Sequence, residues 1–332
     1  MEYALPIVFV SIMGLALFFY VVLDGYDLGI GMLFPFATDD EKDTMIASIG
    51  PFWDANETWI VLGVGVLLIA FPGAHGQILS ALYFPVTIML MGLILRGVAF
   101  DFRVKAGDNK KSMWNKLFFI GSLVASMAQG WMLGSYVTGM GSGWLNITFS
   151  TLIAFALPAL YIVLGAAWLL IKTEGDLQKK AICWARHAVP PMGVGLLLIS
   201  IATPLVSDVI AARWFVLPNA IGLLPIPLIS LLAFFMVYWI LNRPDILGML
   251  KSWVVFAGVV LIIFMAAIGL AYSIFPDIII GKLTIWEAAS ATDSLLFVFW
   301  GVMFTLPAIF IYTFVVYRIF SGKASKLSYQ SD

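Results

Sequence analysis

The segment YVVLDGYDLGIGMLF, Tyr20 to Phe34, ends an apolar run that begins near residue 5 and carries two aspartates. About 20 apolar residues cross a bilayer as an α-helix, so this run predicts a transmembrane helix. Helical spacings of three and four residues place four of its residues on one face: Tyr20, Asp24, Asp27 and Gly31. Because a carboxyl group in lipid is costly, we expect this face to point toward protein or water.

The composition of the whole chain is that of an integral membrane protein. Of its 332 residues, 62% are hydrophobic and 11% are charged, which excludes an ordinary water-soluble domain. The net charge of −1 provides no basic surface for nucleic acid. A single cysteine, Cys183, excludes an intramolecular disulfide and a CxxC metal motif. We therefore expect an all-α membrane protein with one transmembrane domain over residues 1–332.

Nine stretches of the chain are long and apolar enough to span a bilayer as helices. They lie near residues 5–35, 54–71, 77–100, 116–139, 147–171, 188–208, 219–241, 252–275 and 293–317. The second stretch is the shortest, and it spans only if its helix also includes residues 54–58. Short loops join the stretches and leave no room for a soluble domain.

Positive charge tests this count, because cytoplasmic loops retain Lys and Arg. With the N-terminus outside, only Arg213 and Lys282 fall on the outer side, and Arg96 lies near the inner end of the third helix. The inner loops and C-terminal tail hold the rest: Lys42, Arg103, Lys105, Lys110, Lys111, Lys116, Lys172, Lys179, Lys180, Arg186, Arg243, Lys251, Arg318, Lys323 and Lys326. This distribution predicts nine helices with the N-terminus outside and the C-terminus in the cytoplasm. No basic residue precedes Lys42, so we expect the first helix to be retained rather than cleaved as a signal peptide.

Two further stretches bring charged side chains to the same cytoplasmic edge of the membrane as the aspartate pair. The sequence GPFWDANETWIVLG opens the second helix, where Asp54 and Glu57 match a capping box. The sequence LRGVAFDFR closes the third helix with three charged residues: Arg96, Asp101 and Arg103. Three helices are thus predicted to place charged groups at one depth.

Two interpretations of this cluster stay open from the residues alone. In the structural one, Arg96 and Arg103 pair with the acids, Asp101 included, and fix three helix ends. In the functional one, carboxyl groups shielded from water hold and pass protons near neutral pH. The candidates for such a proton path are Asp54, Asp24, Asp27 and Glu57. Spacing does not separate the two interpretations, since Asp54 also suits a plain helix cap.

The histidines argue against a redox centre held by this chain alone. His75 is predicted on the outer side and His187 on the inner side, so the two cannot ligate one haem. The sequence has no paired metal-ligand motif on a helix and no Gly-rich phosphate loop. We expect no metal or cofactor to be ligated by this chain.

Four long motifs occur in order on the first four helices. They are LDGYDLGIGML, GPFWDANETWIVLGVGVLLIAFP, ALYFPVTIMLMGLILRGVAFDFR and MWNKLFFIGS. Together they resemble subunit II of the cytochrome bd-type quinol oxidases, and more closely its cyanide-insensitive branch. The resemblance is dense over roughly the first 140 residues. It implies a complex of the bacterial cytoplasmic membrane that couples quinol oxidation to the reduction of oxygen to water.

The resemblance also implies an architecture and partners. Members of the family fold as two four-helix bundles plus one peripheral helix and form a pseudosymmetric heterodimer with subunit I. Subunit I binds haem b, haem d and the quinol, and a small single-helix subunit often joins the pair. An apolar groove in a chain of nine helices could also hold a lipid or a structural quinone.

The family's residue roles carry over where the motifs match. By resemblance, Asp54 corresponds to an aspartate on a proton path toward the oxygen-reducing haem, and Trp59 to a tryptophan near an oxygen entrance. The two aspartates of the first helix correspond to acids of a second polar channel. Ala55 and Glu57 depart from the family pattern, which has Gly and Gln there, so we expect different hydrogen bonding around Asp54.

Two rival functions follow from the same residues. A secondary transporter would use the acidic cluster to bind a cation, and it would act without a partner chain. A purely structural membrane scaffold would tolerate neutral replacement of Asp24 and Asp54. The quinol oxidase interpretation instead predicts that Asp54→Asn lowers oxygen consumption while the haems remain.

Overall fold

A computed structural model describes residues 2–217, 219–243 and 252–324. Its helices are α1 Ala4–Leu33, α2 Asp39–Ile49, α3 Trp53–Ala70, α4 Pro72–Ala81, α5 Tyr83–Lys105, α6 Asp108–Val137, α7 Trp144–Lys172, α8 Gly175–Val206, α9 Asp208–Trp214, α10 Asn219–Leu223, α11 Pro225–Leu241, α12 Trp253–Ile274, α13 Ile285–Ala288 and α14 Thr292–Ile319. A 3-10 turn, Phe34–Phe36, follows α1, and a two-stranded hairpin consists of β1 Asp277–Ile279 and β2 Leu283–Thr284. Two basic residues of the predicted inner side, Lys251 and Lys326, lie outside the described residues.

The nine predicted spans are confirmed within the described ranges. Nine helices there are long and apolar enough to cross a membrane. The second of them, α3, includes residues 54–58 as its length requires. The helices extend past several predicted boundaries because their polar end turns, as at the start of α8, need no lipid contact. The predicted orientation of the termini and the two-bundle arrangement stay predictions.

The predicted third span is two helices rather than one. It starts near residue 77, but α4 ends at Ala81 and α5 begins at Tyr83. Pro85 explains the break, because its ring clashes with the carbonyl of Ala81, four residues earlier, and it has no N–H to donate. The span itself is therefore α5.

Small residues bring the central helices into close contact. A Cβ atom on Gly29 of α1 would lie 1.8 Å from the carbonyl oxygen of Tyr161 on α7. A Cβ atom on Gly165 of α7 would lie 2.6 Å from the backbone nitrogen of Ile30. Only glycine fits at these two positions, because the neighbouring atoms are backbone that cannot rotate away.

The hairpin end of the molecule is held by one arginine. Arg213 of α9 donates from Nη1 to three carbonyl oxygens at the end of α12: Ser273 at 2.8 Å, Ile274 at 2.8 Å and Phe275 at 2.7 Å. Its Nη2 also pairs with Asp277 of β1 at 3.0 Å. The last carbonyl groups of α12 are thereby satisfied by a cation, as the helix dipole favours.

At the opposite end, α2 lies outside the spans and begins with a capping box. The Thr38 hydroxyl accepts from the backbone N–H of Glu41, and the Glu41 carboxylate accepts from the backbone N–H of Thr38 at 2.7 Å. Lys180 of α8 lies 2.8 Å from the same carboxylate. Burial raises the pKa of Glu41, but the hydrogen bonds from Lys180 and Thr38 outweigh it and hold the pKa below its ordinary value.

Candidate functional site

Three helices contribute one buried ion triad. Arg96 of α5 donates from a single nitrogen, Nη2, to Asp24 of α1 at 2.6 Å and to Glu57 of α3 at 2.7 Å. The side chains of Arg96 and Asp24 are fully buried, whereas Glu57 is 39% exposed. The guanidinium also lies over the Trp53 ring, 4.2 Å from its centroid, in a favourable cation–π contact. The prediction that the aspartate face of α1 points into protein is confirmed.

The predicted capping box of α3 is wrong. The helix begins at Trp53 and its N-cap, Phe52, has no side-chain cap, so Asp54 already lies in the first turn. Glu57 turns toward Arg96 instead of reaching back to a backbone N–H. Glu57 pairs with Arg96 because a hydrogen bond from a charged guanidinium is stronger than one from a neutral backbone amide. The side chain of Asp54 is exposed.

Asp27 belongs to a second hydrogen-bond network, which includes α14. Asn56 Nδ2 is 2.9 Å from Asp27 Oδ2 and 2.7 Å from the Tyr26 hydroxyl. The Tyr317 hydroxyl donates to Asn56 Oδ1 at 2.9 Å and lies 2.6 Å from the Tyr26 hydroxyl. Asp27, Asn56 and Tyr26 are all fully buried. This network holds the last span, α14, against α1 and α3.

A third polar group links α1 to α6 and α7. Gln129 Nε2 donates to the Tyr20 hydroxyl at 2.8 Å, and the Tyr161 hydroxyl donates to Gln129 Oε1 at 2.7 Å. Sequence reasoning missed Gln129 and Asn56. Both are uncharged amide side chains inside predicted spans, and that signal was sufficient to mark them as buried contacts.

The other two charged residues of the third span have different surroundings. Arg103 is buried and pairs with Asp43 of α2 at 2.7 Å, while its Nε donates to Asn115 of α6 at 2.6 Å. Asp101 is exposed and makes no ion pair with a described residue. Arg96 and Arg103 thus pair with acids other than Asp101.

Trp59 is fully buried one turn beyond Asn56. Its ring stacks on Phe19 with centroids 4.6 Å apart and meets Phe310 edge-on at 5.1 Å. Its Nε1 has no hydrogen-bond partner among the described residues. The ring lies mainly among apolar side chains at the junction of α1, α3 and α14.

The two histidines of the chain lie on different helices, His75 on α4 and His187 on α8. No group of three or more His, Cys, Asp or Glu side chains in the described part of the chain could hold a metal. The Nδ1 atom of His187 lies 2.7 Å from the carbonyl oxygen of Cys183 on the same helix.

An open apolar groove of about 560 Å³ lies between α7 and α8, lined by residues that include Phe155, Pro191 and Leu198.

Comparisons with known proteins agree with the motifs. The family model described as cytochrome bd terminal oxidase subunit II matches residues 5–320. Cytochrome bd ubiquinol oxidase subunit 2 of Bacillus subtilis is 30% identical over 62% of this chain and 64% of that protein, so the match spans just under two thirds of that relative. Cytochrome bd-I ubiquinol oxidase subunit 2 of Escherichia coli K12 is 27% identical over 95% of this chain and 94% of that protein.

A solved structure supports the fold independently. The bd oxidase from Geobacillus thermodenitrificans has a chain that superposes with a TM-score of 0.74 at 17% identity, over 96% of this chain and 98% of that one. At this identity the likeness concerns the fold alone. The family match extends over nearly the whole chain, and the nine apolar helices are those of a multi-pass membrane protein. This chain therefore belongs to the cytochrome bd terminal oxidase subunit II family, whose members serve respiratory quinol oxidases of the bacterial inner membrane.

Proposed function

We propose that this chain is the second subunit of a quinol oxidase complex, where it supports subunit I and supplies a cytoplasmic proton-uptake path. Reduction of oxygen to water consumes protons, and these must cross protein that excludes water. The observation that carries the proposal is the triad of Asp24, Glu57 and Arg96, three charged groups held in contact inside the membrane domain. Such groups in spans are expensive and mark ion or proton pathways.

The positions of the acids suit stepwise uptake. Asp54 is exposed in the first turn of α3, Glu57 lies one turn further and is 39% exposed, and Asp24 is fully buried behind Arg96. Exposure thus falls along the series from Asp54 to Asp24. Each carboxyl group would take a proton from the previous one and pass it on, and Arg96 would stabilise the ionised form between transfers.

The remaining components belong to the complex. We assign haem b, haem d and the quinol site to the partner subunit I, as the family resemblance implies and as the separation of His75 on α4 from His187 on α8 supports. The haems would supply the electron transfer to oxygen. Trp59 would line an oxygen entrance, since its apolar surroundings admit a nonpolar gas. A small single-helix subunit and a structural quinone or lipid complete the proposed assembly.

The transporter alternative is less well supported. The acids gather at one end of the bundle rather than at broken helices near the bilayer midplane, where transporters bind their substrates. Arg96 already occupies the centre of the acid group, and it neutralises the charge that would attract a cation.

The test has two stages. The tagged chain is first purified from its native membrane in mild detergent, and a reduced-minus-oxidised spectrum is recorded. Bands of haem b and haem d that travel with a second large chain support the proposal, whereas a colourless chain that is stable alone overturns it.

The second stage measures oxygen consumption of the complex with quinol. We expect Asp54→Asn and Asp24→Asn to lower the rate about 10²-fold or more, the usual scale of a lost proton-transfer group, with haem content unchanged. The matched control is Asp176→Asn, an exposed aspartate paired with Lys179, which should leave the rate unchanged. Full activity in both cluster variants would refute the proton path without affecting the assignment to the complex.

A further inference from the structure

The carboxyl group of Asp27 is fully buried and makes no ion pair with a described residue. Arg96 is the cation that contacts this cluster in the described part of the chain, and its Nη2 is already shared by Asp24 and Glu57. Those two acids add negative charge around Asp27 and make a further ionised group there less favourable. An ionised carboxylate in dry protein is unfavourable when no cation is in contact with it. A neutral, protonated Asp27 avoids that cost.

Asn56 determines which oxygen of Asp27 carries the proton. Its Nδ2 lies 2.9 Å from Asp27 Oδ2 and 3.3 Å from the carbonyl oxygen of Leu23. A carbonyl oxygen only accepts, so the contact to Leu23, although it is the longest of the three that Nδ2 makes, favours an amide with its nitrogen on that side. The reversed amide would set two acceptors against each other. Oδ2 is therefore an acceptor, and Oδ1, which has no partner among the described residues, is left for the proton.

Two tyrosines fix Asn56 in this orientation. The Tyr317 hydroxyl gives its only hydrogen to Asn56 Oδ1 at 2.9 Å. At the 2.6 Å contact between the two hydroxyls, Tyr26 must then be the donor, and it accepts from Asn56 Nδ2 at 2.7 Å. The two hydrogens of Asn56 Nδ2 face three acceptors, so one of them is shared, and the contact to Leu23 at 3.3 Å is the longest of the three. Since an amide does not release its proton near neutral pH, the ring positions Asp27 but cannot conduct to it.

We propose that Asp27 stores a proton on Oδ1 in the resting complex, and that Asn56, anchored by Tyr317, is the positioning residue that makes Oδ1 the exchanging atom. On uptake an O–H bond forms at Oδ1 as an O–H bond of a hydronium ion from cytoplasmic water breaks, and on release the proton returns to a water molecule, with no change in oxidation state. The inference deepens the proton-uptake role proposed above. It depends on that role only for where the proton goes after it leaves Asp27.

Infrared spectroscopy of the whole resting complex in native lipid tests this directly. A protonated carboxyl group has a carbonyl stretch distinct from that of a carboxylate. We expect Asp27→Asn to remove one such band at neutral pH. Asn56→Leu should keep the band and move it to higher frequency, because the carbonyl at Oδ2 loses its donor. Tyr317→Phe should move it in the same direction by less, and Asp176→Asn should leave it unchanged.

Each contrary result has a definite meaning. If Asp27→Asn removes no band, Asp27 is ionised and the inference is overturned. An unmoved band in Asn56→Leu overturns the positioning role, and if that variant fails to assemble by its haem spectrum, Tyr317→Phe decides alone. Because the band is read at rest, normal oxygen consumption in Asp27→Asn would overturn the role of Asp27 in proton uptake while leaving the stored proton established.

Discussion

Removal of the Arg96 guanidinium tests how the ion triad is held together. Arg96→Met keeps most of the side-chain length but loses the ion pairs at 2.6 Å to Asp24 and 2.7 Å to Glu57. Removing one partner of a buried pair costs about 3–5 kcal/mol, because the other charge stays buried and uncompensated. Since about 1.4 kcal/mol is a factor of ten, the ratio of folded to unfolded protein should fall by roughly a hundred-fold or more.

A second substitution should reverse part of this loss. Asp24→Asn in the Arg96→Met background removes the stranded charge, while the half-buried Glu57 can turn toward water. The stability of the double variant should therefore exceed the value expected from adding the two single effects.

The assay is the temperature at which the purified complex loses its haem spectrum, measured for the wild type, both single variants and the double variant. An Arg96→Met complex as stable as the wild type would show that the triad contributes nothing net. Strictly additive losses would show that Asp24 and Arg96 do not interact in the assembled protein. Either result refutes the reasoning.

Two further predictions concern packing and charge away from the triad. Gly29→Ala places a Cβ atom 1.8 Å from the Tyr161 carbonyl oxygen and should lower the stability by about 3 kcal/mol. The thermal assay should show this loss. It should show no loss in the control Gly14→Ala, whose new Cβ atom meets nothing within 4 Å. Glu41→Gln removes a carboxylate whose folded pKa is lowered, a stabilisation that is complete above the ordinary Glu pKa of about 4.3 and lost as pH falls through the lower folded pKa. The variant should therefore lose up to about 1 kcal/mol of stability at pH 7. It should lose nothing at a pH below both the folded and the unfolded pKa of Glu41. A constant loss at every pH would contradict the ion pair with Lys180.

Much of the fold follows from the sequence because lipid imposes simple rules. Length and hydropathy predict the nine spans, and the same rule requires α3 to include Asp54, as it does. The break before Tyr83 was missed, although Pro85 carries its signal, because hydropathy does not register a lost backbone hydrogen bond. Orientation rests on the distribution of Lys and Arg and is not decided by helix packing.

The residues that form the site could be predicted from the sequence more fully than the contacts between them. The helical spacing of Asp24 and the positions of Glu57 and Arg96 bring all three to one depth, and the structure joins them. The capping box failed because a local pattern cannot register a cation from another helix, and Arg96 offers Glu57 a stronger hydrogen bond than the backbone does. Asn56 was missed because its partners lie on α1 and α14, far away in sequence.

The glycine contacts explain why the cluster can act as a site at all. An ion pair exposed to water is worth little, and a carboxyl group in water exchanges protons freely with its surroundings. Here Gly29 and Gly165 let α1 and α7 approach to backbone distance, and Gly92 of α5 and Gly121 of α6 do the same, with Cβ positions 2.7 to 2.9 Å from opposing backbone atoms. Gly121 meets the backbone of Arg96 directly, so the triad is packed against α6 on this side. In the proton path proposed above, uptake would therefore come from the side of Glu57, the partly exposed member of the triad, and not from the side of α6.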